Sequence, residues 1–260
     1  MKTILNKIVA DKRVEIEQLK KNKPFKLLAD AAAHIVPVKS RFAACIKKQI
    51  GINCIAEIKR RSPSRGLLCE AFDPVAIAAV YQQLGCAAIS VLTEKKYFDG
   101  KPEYLQQIKS VVSAPLLRKD FIIDPYQIYE TALLGAEAVL FIVHILTQVQ
   151  LTNFIAIGTR LGLDCLVEVH AEDELQRALD AGAGIIGVNN RNLETFHTDI
   201  STSLQISQII PSACVRVSES GFQSRDDIIR IGQAGFDAVL IGEHFMRSPD
   251  ISATYHNLFG

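Results

Sequence analysis

The 260-residue chain carries 29 basic and 28 acidic side chains, for a net charge of +1, and 48% of its residues are hydrophobic. That balance excludes a global field drawing the chain to nucleic acid or an acidic membrane surface, while the apolar content fills the core of one large domain or two small ones. Six cysteines, at 45, 54, 69, 86, 165 and 214, form no C-x-x-C pair and sit mostly among apolar neighbours, which favours buried thiols in a reducing compartment over disulfides or zinc.

The N-terminal stretch "MKTILNKIVADKRVEIEQLKK" has a charge every few residues, so it reads as neither signal peptide nor membrane span. No later run approaches the ~18 apolar residues of a spanning helix, and a cytoplasmic protein is expected. Ile4, Leu5, Ile8 and Val9 recur at helical spacing, which predicts a helical extension over residues 1–50 packed on the remainder of the chain.

Eight short apolar runs come next: "CIAEIK" (54–59), "AISVLT" (88–93), "PLLRKD" (115–120), "AVLFIVHI" (138–145), "CLVEV" (165–169), "IIGVNN" (185–190), "CVRVSES" (214–220) and "AVLIG" (238–242). Such runs suit strands buried on both faces. Between them lie helical patterns such as "DPVAIAAVYQQLG", "DPYQIYETALLG", "TQVQLTNFIAIGTRLG", "AEDELQRALDAG" and "SRDDIIRIGQAG", several opening on Asp or Ser and closing on Gly, as capped helices do. Eight β-α units predict a single α/β domain over 1–260, a (β/α)8 TIM barrel with an N-terminal helical extension. A doubly wound open sheet is the competing layout.

In such a barrel the active site lies at the C-terminal strand ends, and here those ends are charged. Strand one ends with Glu57 and Lys59, strand three with Lys119 and Asp120, strand five with Glu168, strand six with Asn189, Asn190 and Arg191, and strand seven with Ser218, Glu219 and Ser220. Side chains alternate with period two, so Glu57 and Lys59 share a face, the inner one at the mouth. One such charge is an ordinary capped strand end; this many together point to a site, because buried unpaired charge is costly. "SESGF" after strand seven and "LIGEHF" after strand eight set small residues where barrels bind phosphate, with Gly221, Gly242 and the amide of Glu243 as donors.

Other patterns carry less. Gly182, Gly184 and Gly187 spell G-x-G-x-x-G but run from a helix end into a strand, the reverse of a dinucleotide fingerprint. His144, Glu168 and His170 suggest a metal, yet no further His or Cys stands at ligand spacing. The cluster Lys59, Arg60, Arg61 and Arg65 lacks interleaved aromatics, so an anionic small molecule suits it better than nucleic acid. No G-x-S-x-G elbow is present.

The strings "IAEIKRRSPSRG", "SVLTEKKYFDG", "PLLRKDFIIDPYQI", "LVEVH", "GVNNRNLETF", "VSESG" and "LIGEHFMR" resemble, in the same order, the indole-3-glycerol phosphate synthase family. The resemblance implies a carboxy-lyase of tryptophan biosynthesis that cyclises 1-(2-carboxyphenylamino)-1-deoxyribulose 5-phosphate to indole-3-glycerol phosphate, losing carbon dioxide and water. It implies no metal or organic cofactor, no nucleic-acid or membrane partner, and a monomer or weak dimer. It also implies roles: Lys119 as general acid at the ketone, and Glu168 as general base in dehydration, helped by Lys59, which Glu57 orients. Ser62 and Arg191 would hold the substrate carboxylate and Asn189 the ribulose hydroxyls or Glu168. Phe98, Phe121, Leu140 and Leu193 would wall the phenyl ring, and Ser220, Gly221, Gly242 and Glu243 would receive the phosphate. His244-Phe245 departs from the small residues the family tends to place there, which leaves the role of His244 open along with those of His144 and His170. The end at residue 260 leads to the expectation of a single-function protein. A Schiff-base aldolase using Lys119 or Lys59 and a non-catalytic phosphate-ligand sensor are the rival readings.

Overall fold

The computed structural model describes residues 3–34, 40–192 and 195–260. Eight parallel strands close into one barrel: β1 (Asn53–Ile58), β2 (Ala88–Leu92), β3 (Leu116–Lys119), β4 (Ala138–Ile142), β5 (Asp164–Val169), β6 (Ile185–Asn189), β7 (Val215–Glu219) and β8 (Ala238–Ile241), with β8 hydrogen-bonded back to β1. All eight predicted runs are strands, and the open sheet is excluded by the closure.

The continuous apolar character of the runs comes from the two layers they serve. Ile55, Leu117, Leu140, Leu166, Val217 and Leu240 point into the barrel and pack on one another. Their neighbours Ala56, Ile58, Val139, Phe141, Val167 and Val239 point outward into the shell of helices, as period-two alternation requires.

Connecting helices start where the sequence signals them. Asp73 and Asp124 accept the first free amides of Pro74–Gln83 and Pro125–Leu133, each with proline at the start. Thr147 and Ser224 form capping boxes with Gln150 and Asp227. These contacts satisfy donors that a helix leaves unpaired at its N-terminus. Gly85, Gly135, Gly162, Gly182 and Gly235 come after five of the helices with φ between 76° and 91°, the left-handed turn that ends a helix most cheaply with glycine.

Two departures from the expected elements occur. The run 138–145 is strand only to Ile142, and Val143–Ile145 is a 3₁₀ turn; Arg177 donates to the carbonyls of Val143 and Leu146 and bends the chain away from the barrel wall. After β1, Arg61–Ser62 and Gly66–Leu67 pair as a small antiparallel hairpin that none of the eight predicted runs includes.

Before the barrel come α1 (Ile4–Asn22), α2 (Phe25–Ala33) and α3 (Phe42–Ile46). Leu5 and Ile8 of α1 are buried. Its Lys12, also buried, ion-pairs with Asp120 at 3.2 Å just past β3. Asp120 in turn accepts from Thr93 at 2.6 Å and from Arg118 at 3.3 Å, so α1 is fixed to the C-terminal rim by a buried network. Segment α3 serves the opposite end: Phe42 and Ile46 are fully buried against the inward layer, and the amide of Ala43 donates to Asp164 at 2.8 Å. Truncating a fully buried phenyl ring leaves a cavity costing about 3–5 kcal/mol. Phe42→Ala is therefore expected to lower unfolding free energy by that amount in urea titration; a loss below about 1 kcal/mol would contradict its role as a packed plug.

Candidate active site

A cavity of about 930 Å³ opens at the C-terminal end of the barrel. Its floor holds five charged side chains that share the inward parity of their strands: Glu57 and Lys59 from β1 and its end, Lys119 from β3, Glu168 from β5 and Glu219 from β7. Lys59 donates to Glu57 at 2.5 Å. Lys119 lies 3.1 Å from Glu168 and 3.3 Å from Glu219, both carboxylates being all but inaccessible to solvent. Asn189 Nδ2 donates to the second oxygen of Glu168 at 3.2 Å.

Three carboxylates face two ammonium groups, so the cluster is electrically balanced when it keeps one extra proton. Burial is the largest effect on Glu219 and, with Glu168 and Glu57 nearby, outweighs the Lys119 contact and pushes its carboxyl up to about 8. The extra proton is thus held by Glu219 at neutral pH. Burial works against the charge on Lys119, but Glu168, Glu219 and Glu57 together raise its pKa above the ordinary lysine value. Burial likewise opposes ionisation of Glu168, yet Lys119, His170 and Asn189 hold it below the usual carboxylate range. An ammonium and a carboxylate in contact therefore coexist at the centre of the floor.

Two glycines in the barrel wall make room for this charge. A Cβ on Gly187 would run into the carboxylate of Glu219, and one on Gly242 into that of Glu57. Gly187 belongs to the G-x-G-x-x-G string, whose glycine at this position answers to packing inside the barrel.

Around the rim the side chains are cationic and polar. Arg191 NH2 bonds Glu243 at 2.8 Å and NH1 bonds Ser64 at 2.9 Å, while Arg65 reaches the other Glu243 oxygen at 3.2 Å. Burial raises the Glu243 pKa, but Arg191, Lys59 and Arg65 overcome it and keep the carboxylate ionised. Ser62 is buried and accepts from the amide of Arg65 at 3.2 Å, so the hairpin loop presents Ser64, rather than Ser62, to Arg191. Ser220 and Gly221 are left-handed, φ 69° and 95°, and Asn190 holds this turn by donating to the Ser220 carbonyl at 3.0 Å. The amide of Ser220 is taken by the Leu240 carbonyl at 3.3 Å; its hydroxyl and the neighbouring turn face the cavity with Gly221, Gly242, Glu243 and His244.

The remaining wall is apolar. Phe98 and Phe121 stand with ring centroids 6.1 Å apart, and Leu140 lines the same space. The loop bearing Phe98 is set by Glu94, whose carboxylate accepts the amides of Lys96, Tyr97 and Phe98. Leu193 lies outside the described residues. Every other residue expected to act or bind borders this one cavity.

Glu219 was legible as a charged strand end but carried no assigned role; its inward parity with Val217 was the available signal. The contribution of Ile4, Leu5 and Ile8 to the cavity wall had no signal beyond amphipathic spacing. Among the described residues no group of three or more His, Cys, Asp or Glu side chains is placed to hold a metal.

Comparison with known proteins agrees with this geometry. The family described as indole-3-glycerol phosphate synthase matches residues 5–258. The indole-3-glycerol phosphate synthase of Carboxydothermus hydrogenoformans is 47% identical over 252 residues, covering 95% of this chain and 96% of its own. That of Ruminiclostridium cellulolyticum is 46% identical and covers 99% of both. Among solved structures, a thiamine phosphate pyrophosphorylase from Pyrococcus furiosus superposes with a TM-score of 0.61 over 80% of this chain and 93% of that one, at 13% identity, a likeness of fold alone. With a family match spanning nearly the whole chain and relatives near half identity along their full length, the chain belongs to the indole-3-glycerol phosphate synthase family.

Proposed function

We propose that this barrel mouth converts 1-(2-carboxyphenylamino)-1-deoxyribulose 5-phosphate to indole-3-glycerol phosphate, releasing carbon dioxide and water. The observation that carries the reading is Lys119 held charged between Glu168 and Glu219 on the floor of a cavity with arginines at its rim.

Ring closure needs a proton at the ketone oxygen as the aromatic carbon attacks. Lys119 supplies it, and its ammonium stabilises the oxygen as charge develops. Loss of carbon dioxide then restores the aromatic ring. Dehydration needs a base at carbon and an acid at the departing hydroxyl. Glu168, kept ionised by Lys119 and aimed by Asn189, is the base; Lys59, oriented by Glu57, is the acid. Glu219 keeps Lys119 centred and carries the extra proton of the cluster.

The substrate's ends match the ends of the cavity. Arg191, with Ser62 and Ser64 behind it, meets the planar carboxylate, for which a guanidinium fork is suited. Glu243 fills that fork in the free protein and yields to the incoming anion. Ser220, Gly221, Gly242 and the Glu243 amide take the phosphate, with Lys59 nearby. Phe98, Phe121 and Leu140, together with Leu193, take the phenyl ring and exclude water, which strengthens the charged contacts below. Six free thiols suit a reducing cytoplasm. No described helix is long and apolar enough to cross a membrane.

Three outcomes test this assignment. Lys119→Ala is expected to lower turnover at least ~10³-fold while substrate affinity stays within about tenfold; turnover close to that of the unaltered protein would refute the assignment. Glu168→Gln should reduce kcat by about 10² to 10⁴ with little change in KM, and an effect confined to KM would reassign Glu168 to binding. The third outcome concerns Glu219, whose carboxyl moves from an ordinary 4.5 to about 8 on folding. Between those values the folded state holds the proton that the unfolded state has released, so this group weakens the fold progressively as pH rises through that window and has no such effect below it. The stability gain of Glu219→Gln over the parent, from urea unfolding, should grow from pH 5 to pH 8. A pH-independent difference would contradict the raised pKa.

A further inference from the structure

A third cation stands behind the catalytic floor. His170 follows β5 directly and shares the inward parity of Glu168, but its side chain does not border the substrate cavity. Nδ1 of His170 lies 3.2 Å from Glu174 Oε2, and the amide of the same residue donates to that oxygen at 2.8 Å. Glu174 sits in the first turn of the helix Glu172–Asp180, and its other oxygen lies 2.8 Å from Nδ1 of His144. Held on that side, the His170 ring turns Nε2 toward Glu168. This nitrogen is buried and has no hydrogen-bond partner among the described residues; Glu168 Oε1 faces it at 3.4 Å.

The two neighbours of the ring fix its protons. An ionised carboxylate only accepts, whereas a neutral imidazole pairs one N–H with one lone pair. Between Glu174 and Glu168 a neutral ring would turn its lone pair on one of two negative charges; a ring protonated on both nitrogens does not. The surroundings agree. Burial disfavours a charge on His170, but Glu174 from the following helix, Glu168 from its own strand end and Glu219 from β7 outweigh burial and raise its pKa above the ordinary 6.5. Burial also opposes ionisation of Glu174, yet His170 and His144 bring its pKa down to about 2. His170 and Glu174 thus add one cation and one anion, and the charge balance of the floor, with its extra proton on Glu219, is unchanged.

The two oxygens of Glu168 are then served separately. Lys119 contacts Oε2 at 3.1 Å, while Asn189 donates to Oε1 at 3.2 Å and His170 faces the same oxygen. The division matters because Lys119 gives its proton to the ketone. From ring closure until Glu168 has taken its proton from carbon, the lysine no longer offers Oε2 a full charge. A buried carboxylate that loses a neighbouring cation is driven toward its neutral form, which cannot act as a base. Resting on the synthase reading above, we infer that His170, clamped by Glu174, is a positioning residue whose lasting positive charge holds the Glu168 carboxylate in place as base while Lys119 is discharged. The ring keeps both of its protons throughout and touches no substrate atom.

The test is kcat, KM and the pH dependence of kcat with carboxyphenylaminodeoxyribulose phosphate for the parent, His170→Gln, Glu174→Gln and the double variant. Glutamine at 170 retains a donor toward Glu168 but no charge, and glutamine at 174 retains an acceptor for the His170 amide. His170→Gln is expected to lower kcat roughly 10- to 100-fold with KM nearly unchanged. The acid limb of kcat, which reports the base in the bound enzyme, should move up by about 1 pH unit, because a base whose pKa is raised is lost at a higher pH. A smaller fall in kcat, with the limb moved the same way, is expected for Glu174→Gln. Since Glu174 acts through His170, the double variant should match His170→Gln within about twofold rather than multiply the two losses. An active parent with kcat unchanged in folded His170→Gln, an acid limb that stays in place, or losses that multiply in the double variant overturns the inference and leaves the synthase reading intact. Should His170→Gln not fold, Glu174→Gln decides: a lower kcat with the limb moved up supports the inference, and any other result overturns it. A parent that binds the substrate but makes no product overturns both.

Discussion

Everything at the mouth depends on placing two ammonium groups and three almost wholly buried carboxylates together at one end of a closed barrel. Isolated, each buried charge would cost several kcal/mol, and none would persist. Together they offset one another: Lys59 against Glu57, and Lys119 against Glu168 and Glu219. The carboxylate left over keeps a proton, and Glu219 is the one whose pKa rises to about 8. The result is a charged acid and an ionised base in direct contact, each maintained by the other.

The rest of the structure supplies the conditions this cluster needs. Strand parity directs the charged residues inward one level above Leu117, Leu166 and Val217, and glycines at 187 and 242 leave space for the carboxylates of Glu219 and Glu57. The helices before the barrel close its two ends. Phe42 and Ile46 seal the bottom, while α1 lends Ile4, Leu5 and Ile8 to the cavity wall. The Lys12–Asp120 pair ties α1 next to Lys119 itself, so the extension and the catalytic floor are held in a single buried network with Arg118 and Thr93. At the rim, Arg65, Arg191 and Glu243 form a partly exposed counterpart, and ion pairs open to solvent are weak enough to be exchanged for an anionic ligand.

Much of this was legible before any coordinates, because its causes are local. Eight apolar runs, their Asp and Ser caps and their closing glycines define the barrel, and charge at strand ends marks the mouth. Period-two alternation placed Glu57 and Lys59 on one face, as observed. What escaped depended on contacts between distant segments. Nothing near residue 12 says that Lys12 will be buried against Asp120, more than one hundred positions away. Gly187 looked like part of a misplaced nucleotide motif, since its partner Glu219 comes from the next strand. The run through His144 read as continuous strand because Val143 and Ile145 are apolar; the side chain that bends it, Arg177, lies on a later helix. The role of His170 stayed open for the same reason, its partner Glu174 being visible only once the helix after β5 is placed.

The most direct test of the central claim is product formation by the unaltered protein. Indole fluorescence would be followed at steady state after adding carboxyphenylaminodeoxyribulose phosphate, with EDTA present throughout. Saturable appearance of the indole product under those conditions is the predicted result, since the proposed mechanism routes its proton transfers through Lys119, Glu168 and Lys59 and calls on no metal. Folded protein that binds the substrate yet yields no indole would contradict the account and leave the buried lysine–carboxylate cluster without the chemistry ascribed to it.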